Sequence, residues 1–430
     1  MTGPAEGSAE GTSAARARTP IYYGYWLIAA AFVAQFVAVG ALNYAVGAFM
    51  IPMSDELGWT RAEFTLPRSL GQFVMAFTGF FIGTHVDRHG GRPFMLAGMC
   101  VLTASLYAHA HITQLWQWVV LNGVVLTTGA ALLGNLVVNV TLAKWFVEKR
   151  GQAIAWSSMG VSFAGIAITP AVTWFIDAFG WRNGWQMMAV AAFALTLPVA
   201  LMMRRAPEDH GLHPDGRTAE QVAAGHGARA QADFDTSLTR HQALRTPAFY
   251  LLLVGSMCSI GAVGGTMQNL KLYLSLDHTY GQGEIARILS LVLAGSIIGR
   301  LLMGWLADRW ARKHVMLLIY VIVAASIPLL LFAESWTMLH VFALLFGIGL
   351  GGDYMIIPLM AADLFGVQRL GRVMGFVLTA DGIAEAVSPM LVAGLRDRMG
   401  TYRPGFLLLM GLAAVGAGAV ALLPQKKQAI

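Results

Sequence analysis

Apolar stretches of about 20 residues or more recur along almost the whole of this 430-residue chain, beginning with "YYGYWLIAAAFVAQFVAVGALNYAVGAFM" at 22–50. A helix needs about 20 apolar residues to cross a bilayer core of about 30 Å. Only 12% of the residues are charged, where a soluble protein carries roughly a quarter. Lipid is therefore the expected solvent. The breaks between runs predict twelve membrane-spanning helices, near 22–50, 64–86, 93–110, 116–143, 152–178, 185–203, 247–274, 285–307, 314–333, 337–363, 372–395 and 404–423. The fold class is an all-α membrane protein.

An even number of spans puts both termini on one side of the membrane. Cytoplasmic connections are enriched in Lys and Arg. With the N-terminus inside, twenty such residues fall on the cytoplasmic side and six on the other. Six of the twenty lie in the long central connection, which crosses membranes largely regardless of charge, and setting them aside leaves fourteen against six. The expected location is the cytoplasmic (inner) membrane, with both termini in the cytoplasm. Residues 1–20 have no apolar segment and read as a disordered tail rather than a secretory signal, and 425–430 as a second tail. The net charge of +6 is spread over short connections, which speaks for membrane topology and against nucleic-acid binding. Cys100 and Cys258 read as small core residues. His85, His89, His109 and His111 show no metal spacing and read as solvated. No cofactor or metal site is expected, and without a phosphate-binding loop neither is ATP-driven pumping.

The longest polar segment, 204–246, reads as a structureless cytoplasmic linker. It separates a bundle of six helices, 21–203, from a second, 247–424. The halves echo each other. "GTHVDRHGGR" begins at Gly83 and "GWLADRWARK" at Gly304, 221 residues later; "RGQAIAWSSMGVSFAGIAITP" ends at Pro170 and "LGRVMGFVLTADGIAEAVSP" at Pro389, 219 residues later. Repeated helical units are a mark of secondary transporters, whose substrate site lies at the repeat interface near the membrane midplane.

On these residues the chain resembles the major facilitator superfamily, across nearly all of its length outside the tail and linker. Gly83, Asp87, Arg88, Gly90 and Arg92 match the signature between helices two and three, and Gly304, Asp308 and Arg309 its second copy. The resemblance implies two six-helix bundles that alternate in access. Gly83, Asp87, Arg88, Arg92, Gly304, Asp308 and Arg309 would then act as gating loops, with Asp87 near the start of helix eleven and Asp308 near that of helix five. A role in topology alone is the other reading. "WFVEKRGQAIAWSSMGVSFAG" at 145–165 and "LGWTRAEFTLPRSL" at 57–70 are similar to monocarboxylate carriers and their bacterial relatives, including oxalate/formate-type antiporters. An Arg upstream of the second Gly-x-x-x-Asp-Arg, here Arg300, is implied by that group to hold the substrate carboxylate.

The chain also departs from that group. Animal carriers have a Lys in helix one and an Asp one turn before the helix-eight Arg; here helix one offers Asn43 and Tyr44, and the other position is Ser296. Oxalate-type exchangers add a Lys in helix eleven, where this chain has Asp381 and Glu385. A monoanion fits better than a dianion.

Charges inside a membrane are costly and tend to mark pathways. At about 1.5 Å per residue, Arg300 lies roughly 12 Å in from the cytoplasmic end, and Asp353 in "GIGLGGDYMIIP" near the middle of helix ten. Asp381 is roughly 14 Å in on the same count, and Glu385, at i+4, shares its face. Arg68 and Lys271 fall near the outer surface and read as snorkelling. Arg300 either pairs with Asp353 as a fixed tie or is free for a cargo carboxylate. Three ionised acids beside one cation would repel, so at least one is expected to carry a proton in some state. Asp381 and Glu385 either couple a proton or simply pair at a helix interface. Gly349, Gly351 and Gly352 either allow close packing or bend helix ten as a gate.

These readings combine into a monomeric carrier that is not an enzyme and moves a small organic monoanion, with a proton as the expected partner. The substrate set is Arg300, Asp353, Tyr354, Asn43, Tyr44 and Asn139; the proton set is Asp381, Glu385 and Asp353. An anion exchanger and a non-transporting membrane sensor are the alternatives. The identity of the anion and the direction of flux are not encoded in any motif.

Overall fold

The computed structural model describes residues 21–224, 238, 240–278, 280–332 and 334–424. The expected tails, 1–20 and 425–430, lie outside the described residues, as do 225–237 and 239 of the linker. Among the described residues every regular element is a helix. The spans are α1 (Tyr23–Leu57), α2 (Arg61–His89), α3 (Arg92–His109), α4 (Leu115–Trp145), α5 and α6 (together Arg150–Met202), α7 (Pro247–Leu276), α8 (Gln282–Arg309), α9 (Arg312–Phe332), α10 (Trp336–Phe365), α11 (Leu370–Met399) and α12 (Arg403–Ala421). All but α2 and α3 are long and apolar enough to cross a membrane on length and composition alone.

Local chemistry explains the helix ends. Thr60 and Glu63 form a reciprocal capping box at the start of α2, each accepting a backbone N–H from the other (3.2 and 2.8 Å). The loop expected between helices five and six is absent: α5 and α6 run together and part only at Gly180 (φ 79°, ψ 160°). Such a backbone is nearly restricted to glycine, so one residue serves as the turn. Within α1, residues Gly40–Ala45 form a π-helical segment, a feature that often marks functional sites.

The α2–α3, α4–α5, α8–α9 and α10–α11 connections share one end of the molecule, called here the basic end. Two helix pairs dominate the junction of the halves, α2 with α11 and α5 with α8, with smaller contacts of α4 and α5 on α10 and of α4 on α11. On α2 and α11 the seam is built from small residues. A Cβ on Gly83 would stand 2.2 Å from the carbonyl oxygen of Gly371, one on Gly375 3.0 Å from that of Gly79, and one on Gly382 3.0 Å from the Ala76 Cβ. Thr379 Oγ1 also donates to the Ala76 carbonyl at 2.8 Å. Lipid supplies no hydrophobic drive between helices, so close backbone approach supplies dispersion contact instead. The same device joins α8 to α10, where a Cβ on Gly351 would meet the Ser296 carbonyl at 2.1 Å. Gly349 and Gly352 lie against Val323 and Ile319 of α9, and α10 is continuous through all three glycines. They are packing contacts.

Among the described residues, the hydrogen bonds at the opposite end stay within a half. Glu56 of α1 accepts from Arg182 and, at 2.6 Å, from Trp181, both of α6. Asp277, after α7, accepts from Thr401 and Tyr402 before α12 at 2.8 and 2.7 Å. The halves are thus drawn together at the basic end and each is closed on itself at the other.

Three expectations need correction. The linker is not structureless throughout: the Asp215 carboxylate accepts the backbone N–H groups of Val147, Glu148 and Lys149 at 3.0–3.3 Å, and Arg217 pairs with Glu148. Unsatisfied N–H groups leading into α5 attract an anion, which pins this part of the linker. His109 is not solvated but fully buried between Trp118 and Trp185, its Nδ1 2.5 Å from the Ser105 carbonyl. Cys258 is buried as expected, whereas Cys100 is exposed on α3.

Candidate functional site

Arg300 lies two turns in from the basic end of α8 and is 5% exposed. Its Nη1 donates to Ser162 Oγ of α5 and, at 3.4 Å, to Ser296 Oγ one turn back on α8. The two serine hydroxyls lie 3.0 Å apart. Nε has no protein partner, and no carboxylate stands within ion-pair distance among the described residues. A buried guanidinium held only by neutral hydroxyls leaves its charge uncompensated, which costs several kcal/mol. The geometry suits a fork of N–H donors facing a planar carboxylate.

The neighbours of Arg300 come from four helices. Gly165 lies one turn from Ser162 on α5, and a Cβ there would touch the Tyr44 ring at 3.0 Å. This seats Tyr44, held by a Thr169 hydroxyl on its carbonyl (3.0 Å), beside Arg300. Tyr44 and, on α10, Tyr354 are both within electrostatic reach of Arg300. Arg68 of α2 is within electrostatic reach of Tyr44 and of Glu385. It lies toward the outer end of α2, as its depth implies, on the side of the helix that faces the cleft. Depth counting could not reveal this, because the face a residue presents depends on how α2 registers against α11.

Asp353 is not brought to Arg300. It is fully buried, and its Oδ2 accepts from Ser259 of α7 at 2.7 Å while Oδ1 has no partner. The fixed tie between Arg300 and Asp353 is absent because α10, docked on α8 through Gly347 and Gly351, turns the Asp353 side chain toward α7. Asp381 of α11 is 4% exposed with neither oxygen hydrogen-bonded. The Ser256 hydroxyl of α7 lies beside it, and Asp353 and Glu385 are its charged neighbours. Glu385 is half-buried: its stem lies against α7 where Gly264 leaves room, a Cβ there falling 2.9 Å from the Glu385 Cγ. Its head is within reach of Tyr354 and Arg68. The three acids thus divide, two inside the second half and one facing the cleft.

The remaining polar candidates scatter. Asn43 is exposed in the π-helical segment of α1. Asn139 is buried and donates to Asn135 on its own helix at 2.5 Å. The cavity lined by Phe249, Arg369, Arg372 and Phe376 lies at the basic end, away from Arg300.

At the basic end the two Asp-Arg loops make matching contacts. Asp87 accepts the N–H groups of Gly371 and Arg372 at the start of α11 (2.9 and 3.0 Å), with Lys144 Nζ at 3.9 Å. Asp308 accepts those of Gly151 and Gln152 at the start of α5 (2.6 and 3.0 Å). Each carboxylate spans the halves and meets the positive end of a helix dipole. Arg88 and Arg92 are exposed, and Arg309 covers the Trp305 ring at 3.8 Å. Two cations not anticipated as ties also cross: Arg312, paired within its own half with Asp363 (2.5 Å), donates to the Val147 carbonyl (3.2 Å), and Arg372 bonds Thr84 (2.8 Å). Their position in the first turn of a helix beside a loop was the available signal.

A family model described as Major Facilitator Superfamily matches residues 31–286 and 252–429. Monocarboxylate transporter 13 of Rattus norvegicus is 23% identical over 405 residues, covering 94% of this chain and 89% of its own. The proton:xylose symporter XylE has a similar fold (TM-score 0.73, 11% identity, 94% of this chain and 96% of that one). So does the human organic anion transporter MFSD10 (TM-score 0.72, 12% identity, 92% and 99%).

Proposed function

Because this chain belongs to the Major Facilitator Superfamily, whose members are transporters, and resembles its monocarboxylate-porter group, we propose that it carries a small organic monoanion across the cytoplasmic membrane by alternating access, as a monomer with both termini in the cytoplasm. The observation that carries the reading is Arg300: a buried guanidinium between the two halves with hydroxyl partners and no carboxylate. A cargo carboxylate would take the unpartnered Nε edge of the guanidinium, with Tyr44 and Tyr354 beside it.

Charge bookkeeping supports a monoanion. The second cation of the cleft, Arg68, has Glu385 within reach, so Arg300 alone is left to be neutralised. Coupling to a proton is the natural companion, because Asp381 is a deeply buried acid with no cation among its described neighbours and such a group is costly as a bare charge. Asp381 would hold the proton, with Asp353 and Glu385 as its electrostatic partners. The Asp87 and Asp308 contacts hold the basic end closed and release it when the halves rock.

The test is a thermal-shift screen of the purified protein against small monocarboxylates at two pH values, followed by uptake of the best binder into proteoliposomes. Uptake that follows an imposed inward proton gradient supports symport. Counterflow without any response to that gradient would make the protein an exchanger, and binding without flux a sensor.

A further inference from the structure

The seam between α2 and α11 has a regular register that runs out before the helices do. Gly83 faces Gly371, Gly79 faces Gly375, Ala76 faces Thr379, and Gly382 faces Ala76 and the Gln72 carbonyl (3.7 Å). Each turn toward the opposite end lowers the α2 number and raises the α11 number by three or four, as antiparallel helices must. One turn beyond Gln72 is Arg68; one turn beyond Gly382 is Glu385. The next rung of a seam otherwise made of small residues is therefore a pair of opposite charges. Arg68 is within electrostatic reach of Glu385 but not within ion-pair distance, and its side chain is exposed. On the α5–α8 seam the outermost hydrogen bond among the described residues is the one between Ser162 and Ser296, at the level of Arg300, and α2, α5, α8 and α11 continue outward from there.

We propose that Arg68 and Glu385 form the gate on the open side: when the basic end parts, the α2–α11 seam closes by one more rung, and the two side chains pair above the Arg300 level. A salt bridge suits this place. Two small residues would pack there permanently, whereas charged side chains stay solvated while the cleft is open and find each other once water is expelled. Gly264 seats the Glu385 stem against α7, where a Cβ would meet its Cγ at 2.9 Å.

The inference rests on alternating access and not on the nature of the cargo, so its test uses no substrate. Spin labels at Arg61→Cys and Arg398→Cys, in full-length protein with Cys100 and Cys258 replaced by Ser, report the distance between the outer ends of α2 and α11. Asp308→Asn loosens the basic end and should raise the short-distance population. In that background Arg68→Glu or Glu385→Arg should cut the short population on the order of fivefold, the scale of a 1 kcal/mol coupling, and the double exchange should restore it. Arg68→Gln and Glu385→Gln repeat the test with neutral side chains should a reversed charge prevent folding. Single variants that leave the short population of the Asp308→Asn protein unchanged, or an exchange that fails to restore it, would overturn the gate. Failure of the anion reading would leave these distances untouched.

Discussion

Arg300 of α8 is hydrogen-bonded to Ser162 of α5, so the buried cation of the second half is held in part by the first. A cargo carboxylate that engages Arg300 acts at the junction of the two halves, which is where binding can be converted into rocking.

This contact has a direct consequence. Ser162→Asp would supply an internal carboxylate to Arg300 and should abolish the stabilisation that a bound monocarboxylate gives in a thermal melt. Ser162→Ala removes one neutral partner and should change affinity by less than about tenfold, the worth of a single hydrogen bond of roughly 1 kcal/mol. Equal anion-induced shifts in the Asp variant and the parent would argue against the clamp.

The basic-end carboxylates make a second prediction. Asp87→Asn and Asp308→Asn each weaken two backbone contacts at a helix N-terminus, at a cost of about 1 kcal/mol. The closed basic end should lose population accordingly. A cysteine at Gln152, beside the Asp308 contact, should react several-fold faster with a membrane-impermeant maleimide in Asp308→Asn than in the parent, and no change in rate would mean that Asp308 does not hold the junction.

Gly83 and Gly79 predict opposite outcomes from one substitution. A Cβ on Gly83 would lie 2.2 Å from the Gly371 carbonyl oxygen, whereas one on Gly79 meets nothing within 4 Å. Gly83→Ala must push α2 away from α11, costing about 1–3 kcal/mol by overpacking, and should lower the melting temperature or open the basic end. Gly79→Ala should be neutral or slightly stabilising, since alanine is the better helix former. Equal melting temperatures and equal labelling of Gln152→Cys in the two variants would contradict the seam.

Proton coupling is tested at the acids. Asp381→Asn should support counterflow of the cargo anion yet lose the response of net uptake to a proton gradient. Glu385→Gln separates the two roles given to that residue: as a coupling partner it would spare counterflow, and as the gate it would impair counterflow and net uptake together. An unaltered gradient response in Asp381→Asn would move the proton to Asp353 or remove it from the mechanism.

Much of the frame was legible because bilayer thickness dictates run length and because the duplicated Gly-x-x-x-Asp-Arg reveals two halves. The resemblance to the family implies Asp87 near the start of helix eleven and Asp308 near that of helix five, and their carboxylates make matching contacts there. Position along a helix is likewise legible, since it needs only a count of residues, and Arg300 lies two turns in from the end of α8. Rotation about the helix axis is not. Asp353 turns to Ser259 because of the way α10 docks its glycines on α8, and Arg68 joins the cleft because of the α2–α11 register; both are set by helix pairs far apart in sequence. His109 sits at the end of its span and looks solvated until Trp118 and Trp185 are brought over it.

The most direct measurement of the central claim is uptake by Arg300→Ala of the anion that best stabilises the parent protein, in proteoliposomes matched for inserted protein. Loss of a charge-assisted clamp worth at least about 2 kcal/mol predicts uptake reduced roughly thirtyfold or more, with Arg300→Lys also impaired because an ammonium cannot form the two-pronged contact. Parent-level uptake by Arg300→Ala would contradict the assignment of Arg300 as the residue that holds the cargo.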